Sequence, residues 1–418
     1  MRNRLLALGL AIVVAAVAGC SSGTQSSSSQ SSGQGEKVTL TYGIWDKNQV
    51  PAMKKIASAF TESQPNVSVS VQVTPFDSYF TKLQAAATGG QAPDVFWLNG
   101  PNFQLYASNG VLQEVKVDAA NYPAPLVNLY QFNGKQYGVP KDFDTIGLWY
   151  NKKLFDAAKV DYPTADWKWA DVQAAAKKLT DPDKGVFGIG APPAGQENFY
   201  NTVFQAGGFV ISPDGKRSGY DDPKTIAGLK FWTDLVQAHY SPSMQQMTDT
   251  LPLQMFEAGK LAMLYSGSWN ATEFAKNTNT KNSVDVAQLP AGDKKATVIH
   301  GLGNVVFAKG PHTAEAAAFA EFLGSKQAAD IQASTGTVIP AFNGTQQAWV
   351  QAFPQYHLQN FLDEVSYAVP FPISKNTAVW NGYETDELTK AWSGSESVEQ
   401  AAQNLAAKMN EALAKESK

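Results

Sequence analysis

These 418 residues contain only one cysteine and four histidines, few ligands from which to build a zinc site. A single thiol, Cys20, excludes a disulfide framework within the chain, so stability has to come from a buried core. His239, His300, His312 and His357 stand apart, and none belongs to a His-Glu-x-x-His zinc pattern. Charge is also sparse, at 17% of residues with a formal net charge of −4, and there is no basic run. That balance argues against nucleic acid as a partner. Glycine-rich signatures are incomplete. Gly301-Leu302-Gly303 lacks the third glycine of a dinucleotide loop, and the spacing from Gly208 to Gly215-Lys216 is wrong for a phosphate loop, with Arg217 where Ser or Thr is needed. Gly267-Ser268-Trp269 has no flanking pattern of a nucleophile elbow. Asp181-Pro182-Asp183-Lys184-Gly185 reads as a turn, because the later ligands of a calcium loop do not follow. No cofactor, no metal and no catalytic residue is therefore expected. Long apolar runs are missing as well. The longest, residues 5–17, is shorter than the about 20 residues a membrane-spanning helix needs.

What is present begins at the N-terminus. Arg2 and Arg4, the apolar residues 5–17 and the small pair Ala18-Gly19 have the order of an export signal. Val17-Ala18-Gly19-Cys20 resembles the bacterial lipobox, which implies removal of residues 1–19 and a lipid on the Cys20 sulfur. Two or more acyl chains anchor stably where one is marginal. Residues 20–35 are almost entirely Ser, Gln, Gly and Thr, a composition that forms a flexible tether. The expected location is the extracellular face of the cell membrane, or the periplasmic side in a cell with two membranes. The remaining 36–418 is long enough for two domains. Loss of Arg2 and Arg4 with the signal takes its formal charge from −4 to −6. Ten Trp, fifteen Tyr and twenty-two Phe are more than a core alone calls for and suit a site that reads flat apolar faces.

Alternation predicts strands at 37–45 and 67–73 and a short buried strand at 95–98, with helices opening at Pro51 and over 78–88 between them. Strand, helix, strand, helix, strand implies crossover connections and a parallel sheet. The pattern recurs with strands at 145–150, 186–189, 262–266 and 298–308. Helices are expected over 169–179, 198–206 and 223–239, from Trp269, over 313–323 with Thr313 as its cap, and over 326–334 and 398–414. The body reads as two α/β lobes of similar size.

Several segments carry a family resemblance in order and spacing: Ala92-Pro93-Asp94-Val95, Tyr137-Gly138-Val139-Pro140, Leu148-Trp149-Tyr150-Asn151-Lys152-Lys153, Phe256-Glu257-Ala258-Gly259-Lys260-Leu261, Gly267-Ser268-Trp269 and Gly336-Thr337-Val338-Ile339-Pro340. Over residues 38–413 the chain is similar to the family 1 extracellular solute-binding proteins of carbohydrate ABC transporters, the maltose-binding-protein-like group, in lipoprotein form. The resemblance implies a periplasmic-binding-protein fold of two α/β lobes with the ligand cleft between them, crossed near 140–143, 299–303 and 340–342. Lobe one would comprise 36–142 plus 302–340, and lobe two 143–301 plus 341–418. It further implies a monomer that captures a sugar or oligosaccharide, closes on it, and delivers it to the permease subunits of an importer.

Sugars present apolar C–H faces and a rim of hydroxyls, so aromatic rings and carboxylate or amide side chains are the candidate ligand contacts. Trp45 and Asp46 follow the first strand, where ligands of α/β folds sit. Asp46 would alternatively cap a helix. Asn99 and Asn102 follow the third strand, in a segment that also makes a natural turn. The chain lacks the Asp-Arg pair that maltose-binding members carry there. Asp142 and Asp144 share a strand face at the first crossing, as ligand contacts or as a hinge ion pair. Glu197 occupies a loop position where the family has an aromatic, and a first-turn role for its helix is the alternative. Trp269 matches a stacking tryptophan of the family, and Trp380 matches a second. Two other readings remain open. Paired carboxylates such as Asp142 and Asp144 also occur in glycoside hydrolases, and tryptophan beside acids grips cationic amines, as in a polyamine-binding protein.

Overall fold

Leu40, Tyr42 and Ile44 are fully buried while Thr39 faces solvent, the alternation that makes β1 (Val38–Ile44) a strand with its inner face on the core. It pairs in parallel with β2 (Val67–Val73) and β3 (Val95–Asn99). The connecting helices, Val50–Ser63 and Phe76–Thr88, supply the crossovers that parallel pairing requires. The computed structural model describes residues 37–416. Residues 1–19, the tether and Cys20 lie outside the described residues. Among the described residues no helix is long and apolar enough to cross a membrane.

The remaining strands follow in chain order. A small hairpin of β4 (Gln131–Phe132) and β5 (Lys135–Gln136) precedes β6 (Gly138–Asp144) and β7 (Ile146–Asn151). Then come β8 (Phe187–Gly190), β9 (Leu261–Gly267), β10 (Val284–Ala287) and β11 (Thr297–Val306), and last β12 (Ile339–Pro340) and β13 (Ala368–Pro370). One sheet runs β2-β1-β3-β11-β6-β12, with β13 alongside the start of β11. The other runs β10-β7-β9-β8. Each sheet is flanked by helices, giving two α/β lobes.

Three segments join the two sheets. Only Thr145 separates β6 from β7; it is fully buried, and its Oγ1 donates to the Phe361 carbonyl at 2.8 Å. The long β11 pairs β3 and β6 through residues 300–306, while its first residue, Thr297, exchanges hydrogen bonds with Ile146 of β7 at 3.0 and 3.1 Å. Beyond β12 the chain delivers Trp349 into a core shared with Trp149, Phe274 and Phe361. Two glycines inside β11 are demanded by close approach. A Cβ on Gly301 would lie 2.5 Å from the Asp142 carbonyl oxygen, and one on Gly303 2.7 Å from the Tyr130 ring.

Local departures from the sequence expectation have identifiable causes. Thr313 is the first helical residue; His312 stands at the cap and makes no side-chain bond there. The helix expected over 198–206 begins as a single π turn, Gly195–Phe199, and only then becomes Tyr200–Gln205. After Gly267, a 3-10 turn (Ser268–Asn270) precedes the helix Ala271–Lys276.

Candidate functional site

The ends of β1 and β3 open onto a cleft of about 410 Å³ between the sheets, where strand termini of α/β folds leave backbone and loops free to meet a ligand. Trp45, Asp46, Gln49, Phe76 and Asn99 form one wall, Gln196, Glu197, Ser268 and Trp269 the other, and Asp142, Phe143, Asp144, His300 and Leu302 the floor. A second chamber of about 510 Å³ adjoins it, sharing Phe76, Asn99, Gln196 and His300, and reaches Asn102, Tyr200, Phe371, Asn381 and Glu384.

The aromatic wall is braced from behind. Trp45 meets Tyr79 at 5.0 Å and Trp97 at 5.1 Å between ring centroids, both edge-on, which fixes its indole plane. Opposite it, the half-buried Trp269 folds back over Gly267 so closely that a Cβ at 267 would lie 1.9 Å from the ring. Glycine there is a packing requirement of the Trp269 rotamer. Ser268, only 1% exposed, lines the cleft, and its Oγ has no hydrogen-bond partner.

The floor is acidic. Asp142 pairs with Lys141 at 2.5 Å, both almost fully buried, and also accepts from the Leu302 N–H at 3.0 Å. Lys141 donates onward to Gln49 Oε1 at 2.6 Å and lies 4.4 Å above the Trp97 ring. Burial pulls the Lys141 ammonium below its usual range, with Asp142 opposing that shift. Asp144 accepts from Gln196 Nε2 at 2.9 Å. Burial holds its carboxyl well above the usual range, and the charges of Asp142 and Glu197 add to the effect. Burial raises Glu197 as well. His300 stands opposite Asp144 in the sheet register. Its Nε2 accepts from the Gly100 N–H at 3.1 Å, and burial pushes its pKa down to about 4, so the ring is neutral at physiological pH.

Asn201 sets the loop that carries Gln196 and Glu197. Its Nδ2 donates to their carbonyls at 2.8 and 3.0 Å, and its Oδ1 accepts from the Val298 N–H of β11 at 2.8 Å. Near the same cleft Asn48 spans the two walls, donating to Glu273 at 3.0 Å and accepting from Lys276 at 3.2 Å.

The structure brings Trp45, Asp46, Asn99, Asp142, Asp144, Glu197 and Trp269 onto the wall of the first chamber and Asn102 onto the second. Asp46 also caps the turn Lys47–Gln49, accepting from the Asn48 N–H at 2.8 Å. Asn102 donates to Asn99 Oδ1 at 2.8 Å, so the turn and the wall are made by the same residues. Trp380 is the correction. It is fully buried in the second-lobe core, with its indole N–H donating to Ser374 Oγ at 2.8 Å, and it presents no face to either chamber. On the helix Thr377–Trp392 it is the next residue, Asn381, that faces the second chamber. Sequence reasoning assigns no ligand role to Gln49, Phe76, Gln196, Ser268 or His300. Neutral amides and a strand histidine carry no spacing signature, and only Phe76, an apolar side chain 54% exposed, is unusual once its surface is seen.

The profile of a family described as bacterial extracellular solute-binding protein matches residues 46–330. The chain is 30% identical to an ABC substrate-binding protein of Listeria monocytogenes solved in complex with cycloalternan, over 91% of this chain and 100% of that one, with a TM-score of 0.85. It is 25% identical to a maltooligosaccharide ABC transporter solute-binding lipoprotein of Streptococcus pneumoniae, covering 84% of this chain and 83% of the relative. A diacetylchitobiose-binding protein of Streptomyces coelicolor is 23% identical over 74% of each chain.

Proposed function

The chain belongs to the bacterial extracellular solute-binding protein family, and from that membership we propose that it is the substrate-binding lipoprotein of an ABC importer, capturing a sugar or oligosaccharide. The observation that carries this reading is the cleft itself, with Trp45 and Trp269 on opposite walls and carboxylate and amide groups between them. Indole faces would cover the C–H faces of a sugar ring, while Asp46, Asn99, Gln49 and Asp144 would take its hydroxyls. A ligand held by both walls binds the closed arrangement better than the open one, and that difference drives closure. The bridge from Asn48 to Glu273 and Lys276 would form with it. The permease then receives a loaded protein that differs in shape from the empty one.

The named relatives are binding proteins, which supports a non-enzymatic role over glycoside hydrolysis. The finer parts of the reading are ours as well. They are lobe one as 36–142 plus 302–340, lobe two as 143–301 plus 341–418, the ligand contacts above, and anchoring through Cys20 with residues 20–35 as tether. A thermal-shift screen over a sugar library tests the function. A ligand that binds only the folded state stabilises it by about 2.7 kcal/mol at a hundredfold excess over Kd. At least one sugar should raise the Tm and be recovered intact. A protein that no sugar stabilises, or that releases hydrolysis products, would not have this function.

A further inference from the structure

Among the described residues, the two chambers carry acids and no cationic side chain. Asp46, Asp142, Asp144 and Glu197 line the first and Glu384 the second, and no Lys or Arg lines either among the described residues. Three of these acids are answered within the protein. Asp46 caps its turn, Asp142 pairs with Lys141, and Glu384 accepts from Tyr200, Tyr220 and Asn381. Asp144 and Glu197 are not. Asp144 has the single neutral donor Gln196, and Glu197 is met only by its own backbone N–H. Both line the same cleft, and the donor to Asp144 is Gln196, the residue that precedes Glu197. His300, the one base on the wall, has its Nε2 occupied by Gly100 and is uncharged.

Closing this site around a neutral ligand strips water from two carboxyls that lack a countercharge, so each stays as an unpaired charge or takes up a proton, and either is costly. A positive group on the ligand removes that cost. A metal ion is not the natural candidate, because no group of three His, Cys, Asp or Glu suited to holding one occurs among the described residues. An ammonium fits better. It brings only donors, and the surroundings offer acceptors in Asp144 and Glu197. The indoles of Trp45 and Trp269 add cation–π faces. Ser268 Oγ, buried and unpartnered on the same wall, calls for a polar group from the ligand. Gln49 and Asn99 suit hydroxyls, which a simple polyamine lacks.

Resting on the sugar-binding reading, we propose that the sugar this cleft is built for carries a protonated amine, seated between Asp144 and Glu197 against the Trp45 and Trp269 faces. Calorimetric titration with matched pairs tests it: the glucosamine trimer against the N-acetylglucosamine trimer, and 6-amino-6-deoxymaltose against maltose, at about pH 6, where these primary amines are mostly protonated. In at least one pair the amine-bearing member binds about tenfold tighter or more. Glu197→Gln and Asp144→Asn each bring that ratio toward one, whereas a merely structural defect weakens both members alike. Equal or tighter binding of the neutral members overturns the proposal and leaves the sugar reading intact. Binding of spermidine with no response to any sugar overturns both, and a ratio unmoved by either substitution overturns the placement of the amine.

Discussion

Glu384 offers a quantitative test of how the second chamber is held. Its carboxylate is buried and accepts hydrogen bonds from Tyr200 at 2.8 Å, from Asn381 at 2.7 Å and from Tyr220. Burial is the dominant influence and lifts its pKa from 4.5 to about 7, against the opposing pull of the three donors. The folded state thus binds this proton more tightly than the unfolded chain does. Its contribution to stability is complete below the unfolded pKa of 4.5, declines as pH rises, and is lost above about 7. At 1.36 kcal/mol per pKa unit, the loss amounts to about 3 kcal/mol. Glu384→Gln removes the titration, keeps an oxygen for both tyrosines, and leaves the Asn381 amide free to turn its own oxygen toward the new amide N–H. Urea unfolding followed by circular dichroism at about pH 5 and about pH 8 gives the difference between parent and variant. Part of that loss already lies below pH 5, so the variant should gain on the parent by about 2.5 kcal/mol between those two pH values. His300, whose pKa is lowered to about 4, loses stability in the opposite sense as pH falls through 6.5. It is present in both proteins and largely cancels in the difference. A difference that does not change with pH, or one in which the parent gains as pH rises, would refute the reasoning.

Trp380→Ala removes a fully buried indole and should cost about 3–5 kcal/mol of stability, while calorimetric affinity for the ligand stays within about twofold because the ring lies outside both chambers. Gly267→Ala should do the reverse. Its Cβ would sit 1.9 Å from the Trp269 ring, so the indole must leave its place, and affinity should fall about tenfold, with a changed fluorescence spectrum in the unliganded protein. Cys20→Ser should release the protein from the membrane fraction into the medium or periplasm on cell fractionation, since the lipid anchor is the proposed attachment.

Much of the scaffold was legible because it follows from periodicity. The helices Thr313–Leu323 and Lys326–Ser334 have the limits their apolar spacing predicts, and Val38–Ile44 alternates as read. The walls at Trp45, Asp46 and Asn99 were legible through a general rule, since the ends of parallel strands face the crevice. The error at Trp380 is one of phase. Successive residues on a helix point about 100° apart, so a position assigned one residue early falls in the core, while Asn381 beside it reaches the chamber. Gln49 and Gln196 are tied to the cleft by contacts with Lys141 and Asp144, 92 and 52 positions away, and nothing local announces such contacts. Nor does sequence reveal that Asp142 is paired and Asp144 is not. That distinction depends on which neighbour the fold buries beside each.

Titrating the protein's tryptophan fluorescence with a series of mono- and oligosaccharides tests the central claim most directly, because Trp45 and Trp269 form opposite walls of the cleft. The account predicts a saturable change with at least one sugar, and loss of most of that change in Trp269→Phe. Fluorescence that responds to no sugar, or a sugar response that Trp269→Phe leaves untouched, would contradict it.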